Sequence, residues 1–294
     1  AQAIPGAYQT KRYFPLLKGK SVGLVVNHTS VIGTTHLADS LLHAGISVKR
    51  VFAPEHGFRG TADAGAHIDN EVDRQTGLPL ISLYGKHKKP TTEDLQGLDI
   101  VVFDIQDVGA RFYTYSSTLF YVMEACAENK VKLVILDRAN PNGHYVDGPV
   151  LDRKFASFVG LNSIPVVHGL TMGEFAGMIN GEGWLANNLK CDVQVIACQS
   201  YKHQDVVPVA IAPSPNLPND QSIGLYPSLC LLEPTIVSVG RGTLTQFQVV
   251  GTPNPAAGSY TFTPVPTPGA MDPPLKGQLC FGLDLREVNT RELG

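Results

Sequence analysis

The sequence predicts an α/β fold, in which a Rossmann-like open parallel sheet carries helices on both faces and is followed by a smaller second α/β lobe. Short runs of Val, Ile, Leu and Phe alternate with amphipathic helical stretches, as in βαβ units. The runs are almost continuously apolar, which is typical of parallel strands covered on both faces. The chain has 294 residues, enough for one large α/β domain or two smaller ones.

The first lobe is predicted to span residues 1–185. Its apolar runs predict strands at residues 22–26, 48–53, 81–84, 100–105, 131–136 and 164–167. The periodic stretches between them predict helices at residues 35–44, from residue 90 onward, at 117–128 and at 172–180. Crossovers between the parallel strands should be right-handed.

The second lobe is predicted to span residues 186–294, because proline and glycine become frequent from residue 208 onward. Strands are expected at residues 192–197, 207–211 and 278–285. A stretch rich in Pro, Ser and Thr at residues 252–268 predicts a surface loop.

The composition excludes several classes of protein. A chain with 43% hydrophobic and 17% charged residues is not disordered, and a net charge of −3 provides no basic field for nucleic acid. No apolar run approaches the roughly 18 residues of a membrane span. The five cysteines include no CxxC pair, so they predict neither a disulfide framework nor a zinc site. We therefore expect no nucleic-acid partner and no membrane span.

Polar residues directly follow most of the predicted strands. The carboxyl ends of parallel strands lie at one edge of a sheet, where ligands bind. The residues at these ends are Asn27, Glu55, His56, Tyr84, Asp104, Gln106, Asp107, Arg138, Asn140 and His168. This pattern predicts a site for a ligand rich in hydroxyls or amides. Structural roles are the alternative: Asp104 and Asp107 as cap or turn carboxylates, and His168 as a half-buried imidazole.

Glu55 is the strongest candidate for chemistry, because it follows an apolar strand and lies between Pro54 and the pair His56-Gly57. A carboxylic acid among apolar neighbours holds its proton longer, which suits a general acid. A second, ionised carboxylate completes the pair that glycosidases use, about 5–5.5 Å away for retention and about 6.5–9.5 Å for inversion. The possible partners are Asp104, Asp107 and Glu174.

The motifs of other enzyme classes do not occur in the sequence. No GxGxxG follows the first strand, and neither GxxxxGK[ST] nor GxSxG is found. The nine histidines include no HExxH motif, and a metal held by His28, His56 and His168 is the weaker alternative. The sequence therefore predicts no cofactor and no metal.

Eight blocks of the sequence resemble one family. They are residues 52–60 (FAPEHGFRG), 82–85, 103–115 (FDIQDVGARFYTY), 136–142, 157–160, 168–174, 213–216 and 238–243 (SVGRGT). In this order they resemble the exo-β-N-acetylmuramidases of peptidoglycan turnover, formerly classified as a domain of unknown function. The resemblance extends from about Lys18 to Leu285.

The resemblance implies removal of terminal β-1,4-linked N-acetylmuramic acid from the non-reducing end of peptidoglycan fragments, with Glu55 as the catalytic acid. It also implies export, to the periplasm or the cell exterior, so we expect a signal peptide before Ala1. The family continues past the position of Gly294, which predicts an incomplete second lobe. The family usually has Glu-Gly-Thr-Asn where this chain has Glu233-Pro-Thr-Ile236, a departure that concerns substrate binding by the second lobe.

We therefore predict a glycoside hydrolase in which Glu55 protonates the leaving oxygen, His56 orients it, and Asp104 or Asp107, with Glu174 as the second choice, supplies the ionised carboxylate. The alternative is an acetamido-assisted route, which needs no protein nucleophile. Muramic acid carries a lactyl carboxylate, which a planar arginine binds better than lysine. The predicted substrate-binding residues are Asn27, Arg59, Tyr84, Gln106, Arg111, Tyr113, Arg138, Asn140, His168 and Asn216, with Tyr115 as a further stacking ring. The competing classes are a non-catalytic muropeptide or sugar binder and a Rossmann-like transferase or nucleotide enzyme.

Overall fold

The computed structural model describes residues 2–54, 58 and 71–292. The strands in these ranges are β1 (Ser21–Val26), β2 (Val31–Ile32), β3 (Thr35–His36), β4 (Ser47–Ala53), β5 (Glu71–Val72), β6 (Pro79–Ser82), β7 (Ile100–Asp104), β8 (Lys132–Leu136), β9 (Val193–Ile196), β10 (Val249–Thr252), β11 (Tyr260–Phe262) and β12 (Cys280–Asp284). The α-helices are α1 (Thr10–Leu17), α2 (Leu37–His43), α3 (Thr92–Leu95), α4 (Tyr115–Asn129), α5 (Met172–Glu182) and α6 (Asp220–Leu229).

Seven of these strands form one sheet, in the order β5-β6-β4-β1-β7-β8-β9. Six of the strands are parallel, and the edge strand β5 is antiparallel to β6. After β1, the chain adds β4, β5 and β6 on one side of β1. It then reverses direction and adds β7, β8 and β9 on the other side. Ligands of such sheets bind outside the carboxyl ends of the strands near this reversal. The predicted open parallel sheet is confirmed.

Helices cover both faces of the sheet, as predicted. Alternate residues of a strand point to opposite faces. Phe103 and Ile135 accordingly share one core with α4 and α5, whereas Val102 and Val134 share another with α1 and α2.

The second lobe contains a three-stranded antiparallel sheet in the order β10-β12-β11, together with α6. Val249, Phe262 and Cys280 form its own small core. Ile223 of α6 and Phe247 belong instead to the core that includes α4 and α5, so the two lobes share buried surface.

Two segments predicted as strands are not strands. Residues 164–167 form only isolated bridges, in which Val167 contacts Ala110 and Asp147. Residues 207–211 include Pro208, which has no N–H to donate to a ladder, and the Val209 N–H donates to Asp220 Oδ1 at 2.9 Å. Both segments run over the carboxyl edge of the sheet as loops.

Three other boundaries also differ from the prediction. The strand predicted at 192–197 in the second lobe is β9, which extends the large sheet by parallel pairing with β8. The predicted loop 252–268 contains β11, because this segment pairs with β12. The helix predicted from residue 35 begins at Leu37, since Thr35 and His36 pair with β2.

The described residues contain neither a helix that could span a membrane nor a cluster that could hold a metal ion. No helix in the described ranges combines the length and apolar character that crossing a bilayer requires. Within the same ranges no group of three or more His, Cys, Asp or Glu side chains has an arrangement that holds a metal ion. The five cysteines are free thiols.

Candidate functional site

A cavity of about 990 Å³ lies between the two lobes, and we call it the interlobe cavity. Aromatic side chains from both lobes line it: Tyr84, Phe112, Tyr113, Tyr115, Phe158, Tyr226 and Phe247. The charged and amide side chains in its described lining are Asn216, Glu233, Arg241 and Asp272. A concave site with apolar and aromatic walls and a few polar groups is typical of small-molecule binding.

The interlobe cavity borders the carboxyl edge of the large sheet. Tyr84 lies just beyond β6, and residues 112–115 lead into α4 beyond β7. Strand β4 ends at Ala53 between β6 and β1 in the sheet. Glu55, His56 and Arg59, which follow β4 in the sequence, lie outside the described residues, so their predicted roles stay predictions.

Tyr113 is fixed in the cavity by contacts on several sides. Its hydroxyl donates to the Pro213 carbonyl at 2.8 Å, and its ring packs edge-on against Tyr115 and Tyr226, with centroids 4.9 and 5.7 Å away. Asn27 Nδ2 in turn donates to the Tyr115 hydroxyl at 3.0 Å. These contacts hold the aromatic surface in a fixed arrangement, and the fully buried Asn27 side chain supports it without lining the cavity.

The second lobe contributes an ion pair between Arg241 and Glu233. Arg241 Nε donates to Glu233 Oε1, and Nη2 donates to Oε2 at 3.2 Å. The guanidinium carbon lies 5.0 Å from the centroid of the Phe247 ring, and Cys230 Sγ donates to Glu233 Oε2 at 3.4 Å. Burial opposes the charge on Arg241, but its hydrogen bonds to Glu233 and the nearby negative charge raise the pKa of Arg241 above its usual value.

Two glycines allow the backbone to present Arg241. Gly240 has φ +82° and Gly242 has φ +77°, values that favour glycine. A Cβ at position 242 would lie 2.6 Å from the Val265 carbonyl oxygen, and one at position 240 would lie 2.8 Å from that of Thr245. The turn therefore requires glycine at both positions that flank Arg241.

Gly242→Ala is expected to destabilise the protein by more than about 2 kcal/mol, because it adds a backbone clash to the left-handed penalty of about 1–2 kcal/mol. Gly19→Ala is the matched control: Gly19 has φ +74°, and a Cβ there meets nothing within 4 Å. Urea unfolding of both variants measures the difference. Equal losses in the two variants would show that the contact with Val265 is readily relieved.

The predicted amide residues divide into two groups. Asn216 lines the interlobe cavity, and its Nδ2 donates to the Gly269 carbonyl at 2.8 Å, which fixes the orientation of the amide. Among the residues that the structure describes, the buried acceptor Asn216 Oδ1 has no hydrogen-bond partner. Asn140 and Gln106 instead donate to backbone carbonyls of Leu170 and Ala139, each at 2.9 Å, and therefore hold loops together.

Asp104 and Arg138 bind each other outside the interlobe cavity. Arg138 Nε donates to Asp104 Oδ1 at 2.5 Å and Nη2 donates to Oδ2 at 3.0 Å, with both side chains buried. Arg138 lines a separate cavity of about 470 Å³, together with Thr29, Gln106 and residues 205–211. This pairing occupies both oxygens of Asp104 and argues against a role for either residue in the interlobe cavity.

The other predicted carboxylates also bind backbone. Asp107 Oδ2 accepts from the Gly109 N–H at 2.7 Å and lies 3.7 Å from His168 Nε2. Glu174 Oε2 accepts from the Thr171 N–H at 2.8 Å in a capping box at the start of α5, and its Oε1 pairs with His203. Neither carboxylate, nor His168, lines the interlobe cavity.

Arg111 binds a neighbouring loop. It donates to the carbonyls of Pro149, at 3.0 Å, and of Ile164, and partial burial lowers the pKa of its guanidinium. The side chain thus anchors residues 149–164 and does not line the interlobe cavity.

Asp137, directly after β8, has an unusual environment that the sequence does not reveal. Burial raises the pKa of Asp137 to about 6, although Thr171 Oγ1, the Gly173 N–H and the Arg138 N–H donate to its carboxylate at 2.7, 2.9 and 3.1 Å. The side chain joins the end of β8 to the start of α5, so it has a structural role.

The pH dependence of stability should reflect this shift. The folded-state pKa of Asp137 lies above the ordinary value of 3.8, so its stabilising contribution is complete below pH 3.8 and is lost as the pH rises through about 6. A shift of about 2 units corresponds to roughly 3 kcal/mol. Asp137→Asn keeps the acceptor for both N–H groups and should remove this dependence. The quantity to measure is the difference between the free energies of unfolding of the wild type and of the variant. We expect this difference to decrease as the pH rises from 4 to 7, and a constant difference would contradict the prediction.

Comparison with models of known protein families shows which family the chain belongs to. The model of the N-terminal part of exo-beta-N-acetylmuramidase NamZ matches residues 22–221, and the model of the C-terminal part matches residues 224–293. The chain belongs to the NamZ family. The resemblance inferred from the eight sequence blocks is thereby confirmed.

Individual NamZ relatives agree with this assignment. The peptidoglycan beta-N-acetylmuramidase NamZ of Bacillus subtilis (strain 168) is 42% identical over 248 residues, which are 82% of this chain and 59% of that protein. This chain thus spans less than two thirds of the length of that relative. A crystal structure of a DUF1343 family protein from Bacteroides fragilis superposes with a TM-score of 0.92 at 49% identity and covers 100% of this chain and 79% of its own. A second DUF1343 protein from the same organism gives a TM-score of 0.86 at 32% identity and covers 99% and 78% of the two chains.

The two NamZ parts meet at α6, and both line the interlobe cavity. Three of the residues predicted to bind substrate line it, namely Tyr84, Tyr113 and Asn216. Glu233 and Arg241 from the C-terminal part were not among the predicted substrate-binding residues. The signal was present in the SVGRGT block, because an arginine between two glycines in a loop indicates a turn built to present that side chain.

Proposed function

We propose that this member of the NamZ family is a glycoside hydrolase that releases terminal β-1,4-linked N-acetylmuramic acid from the non-reducing end of peptidoglycan fragments. The observation that carries the proposal is the interlobe cavity, which borders the carboxyl edge of the sheet and has a fixed aromatic surface and a charged pair from the second lobe. Family membership and the activity named for the Bacillus subtilis relative support it.

In the proposed reaction, the sugar ring lies against Tyr113 and binds polar groups that include Asn216. Glu55 protonates the glycosidic oxygen as its bond to the anomeric carbon breaks, and His56 orients the carboxyl of Glu55. A water molecule adds to the anomeric carbon and gives up its proton to the second carboxylate. Among the described carboxylates, Glu233 and Asp272 line the cavity, whereas Asp104, Asp107 and Glu174 do not. Arg241 binds both oxygens of Glu233, so Asp272 is the better candidate for the second carboxylate of an acid–base mechanism.

We also propose that the protein acts in cell-wall turnover outside the cytoplasm, in the periplasm or the extracellular space. The substrate class supports this location, because peptidoglycan is a polymer of the cell envelope. Detection of the native protein in envelope and cytoplasmic fractions tests it, and recovery from the cytoplasm alone would overturn it.

The activity is tested with the 294-residue chain on chromogenic β-glycosides of N-acetylmuramic acid and N-acetylglucosamine. We expect turnover of the first and little of the second. Mass spectrometry of digested peptidoglycan fragments should show the loss of single muramic acid residues from the non-reducing end. Tight binding of muramic acid, seen by calorimetry, without any turnover would instead identify a non-catalytic sugar-binding protein.

A further inference from the structure

N-acetylmuramic acid differs from N-acetylglucosamine by its lactyl group, whose free carboxylate is negatively charged. A site that prefers muramic acid needs a cation or an equivalent set of donors at the position of this carboxylate. Among the described residues that line the interlobe cavity, Arg241 is the only cation. We propose that Arg241 binds the lactyl carboxylate and sets the preference for muramic acid, an inference that rests on the proposed function of the same site.

The hydrogen bonds of Arg241 leave one edge of its guanidinium available. An arginine has five N–H donors arranged around a plane. Glu233 takes the edge formed by Nε and Nη2, and no acceptor in the described part of the chain binds Nη1. The adjacent edge, formed by Nη1 and the second N–H of Nη2, has the geometry that binds both oxygens of a carboxylate.

Arg241 is also held in place before any ligand arrives. Phe247 lies under the guanidinium, Glu233 fixes its rotation, and the turn between Gly240 and Gly242 fixes its backbone. Binding therefore costs little side-chain entropy, which raises the affinity that the hydrogen bonds provide. Glu233 acts here as a positioning residue for Arg241.

The charge balance explains why the side chain has to be arginine. Glu233 is paired with Arg241 and offsets its positive charge. The lactyl carboxylate is therefore bound mainly by two directed hydrogen bonds and less by net charge. Lysine offers a point charge without a planar fork, and in this position its ammonium would pair with Glu233. A lysine should therefore fail to replace Arg241.

Other cations near the cavity are arranged less favourably. Lys88 lies over the outer aromatic ring Phe158, 4.8 Å from the centroid, and is not part of the described lining. Arg111 uses its guanidinium on the carbonyls of Pro149 and Ile164. Lys88 provides the matched control, because it is a nearby cation whose loss should not alter recognition of the carboxylate.

The test compares two ligands by calorimetry: the methyl β-glycoside of N-acetylmuramic acid and the same compound with its lactyl carboxyl converted to the primary amide. The wild type should bind the carboxylate more tightly than the amide by about 10- to 100-fold, the usual range for a charge-assisted pair. Arg241→Ala and Arg241→Lys should reduce this ratio to near one, and Lys88→Ala should leave it unchanged. A purely structural role of Arg241 would weaken both ligands equally and preserve the ratio.

An unchanged ratio in Arg241→Ala, or its loss in Lys88→Ala, would overturn the proposal. Because the measurement is of binding, it remains decisive if the wild type fails to cleave any glycoside, a result that would overturn the proposed function alone. Circular dichroism and urea unfolding of each variant establish that it is folded. If Arg241→Ala does not fold, the ratio in Arg241→Lys decides the question.

Discussion

Glu55→Gln is expected to lower the turnover of a chromogenic N-acetylmuramic acid β-glycoside by at least about 10²-fold, because glutamine cannot supply the proton that the leaving oxygen needs. Calorimetry should show that the variant still binds muramic acid with nearly the wild-type affinity, since the amide has almost the same size and hydrogen-bonding reach as the acid. The effect should therefore fall on kcat and not on binding.

A second measurement separates the loss of an acid from a general defect. Substrates with more acidic leaving groups need less protonation, so Glu55→Gln should lose less activity on a dinitrophenyl glycoside than on a methyl glycoside. Glu287→Gln, the same change at an exposed position, should leave turnover unchanged. Equal activity of Glu55→Gln and the wild type would remove Glu55 from the role of acid.

Arg138→Ala should have the largest effect on stability, about 3–5 kcal/mol, because it leaves the buried carboxylate of Asp104 without its partner. Urea unfolding measures the loss. Removing both charges in Asp104→Leu with Arg138→Met should cost less than the single change, since no buried charge then remains unpaired.

Arg286→Ala is the matched control for this ion pair. Arg286 and Asp284 form an equally close contact, 2.6 Å, but both side chains are partly exposed. Water screens an exposed ion pair, so the contribution of this pair to stability is small and the variant should unfold close to the wild type. Similar losses in Arg138→Ala and Arg286→Ala would show that burial of the first pair is unimportant.

Much of the first lobe could be predicted from the sequence because its strands are buried on both faces. The apolar runs ending at Val26, Phe103 and Leu136 left no alternative to a parallel sheet, and these strands lie where they were expected. The strand predictions were wrong where a real strand has a mixed polar and apolar composition, as in β11, or where a loop is apolar. Residues 164–167 look like a strand, but they form isolated bridges to Ala110 and Asp147, both through Val167, and no continuous ladder.

The candidate site was predicted less completely, because polar residues at strand ends serve two purposes. Asn140, Asp104 and Glu174 follow strands or begin a helix as catalytic residues would, yet they bind backbone groups or buried partners. A sequence cannot distinguish a carboxylate that caps a helix from one that faces a cavity. Arg241 was missed for a different reason: the SVGRGT block indicates a turn that presents the side chain, but only the fold brings this turn to the cavity.

Glu55, the predicted acid, belongs to the N-terminal NamZ part, whereas Arg241, the residue proposed to choose the sugar, belongs to the C-terminal part. Evolution can then change which sugar is accepted by replacing a few residues around Phe247, while the chemistry of cleavage is inherited intact. Chimaeras of relatives joined between residues 221 and 224 should accordingly take their preferred sugar from the donor of the C-terminal half.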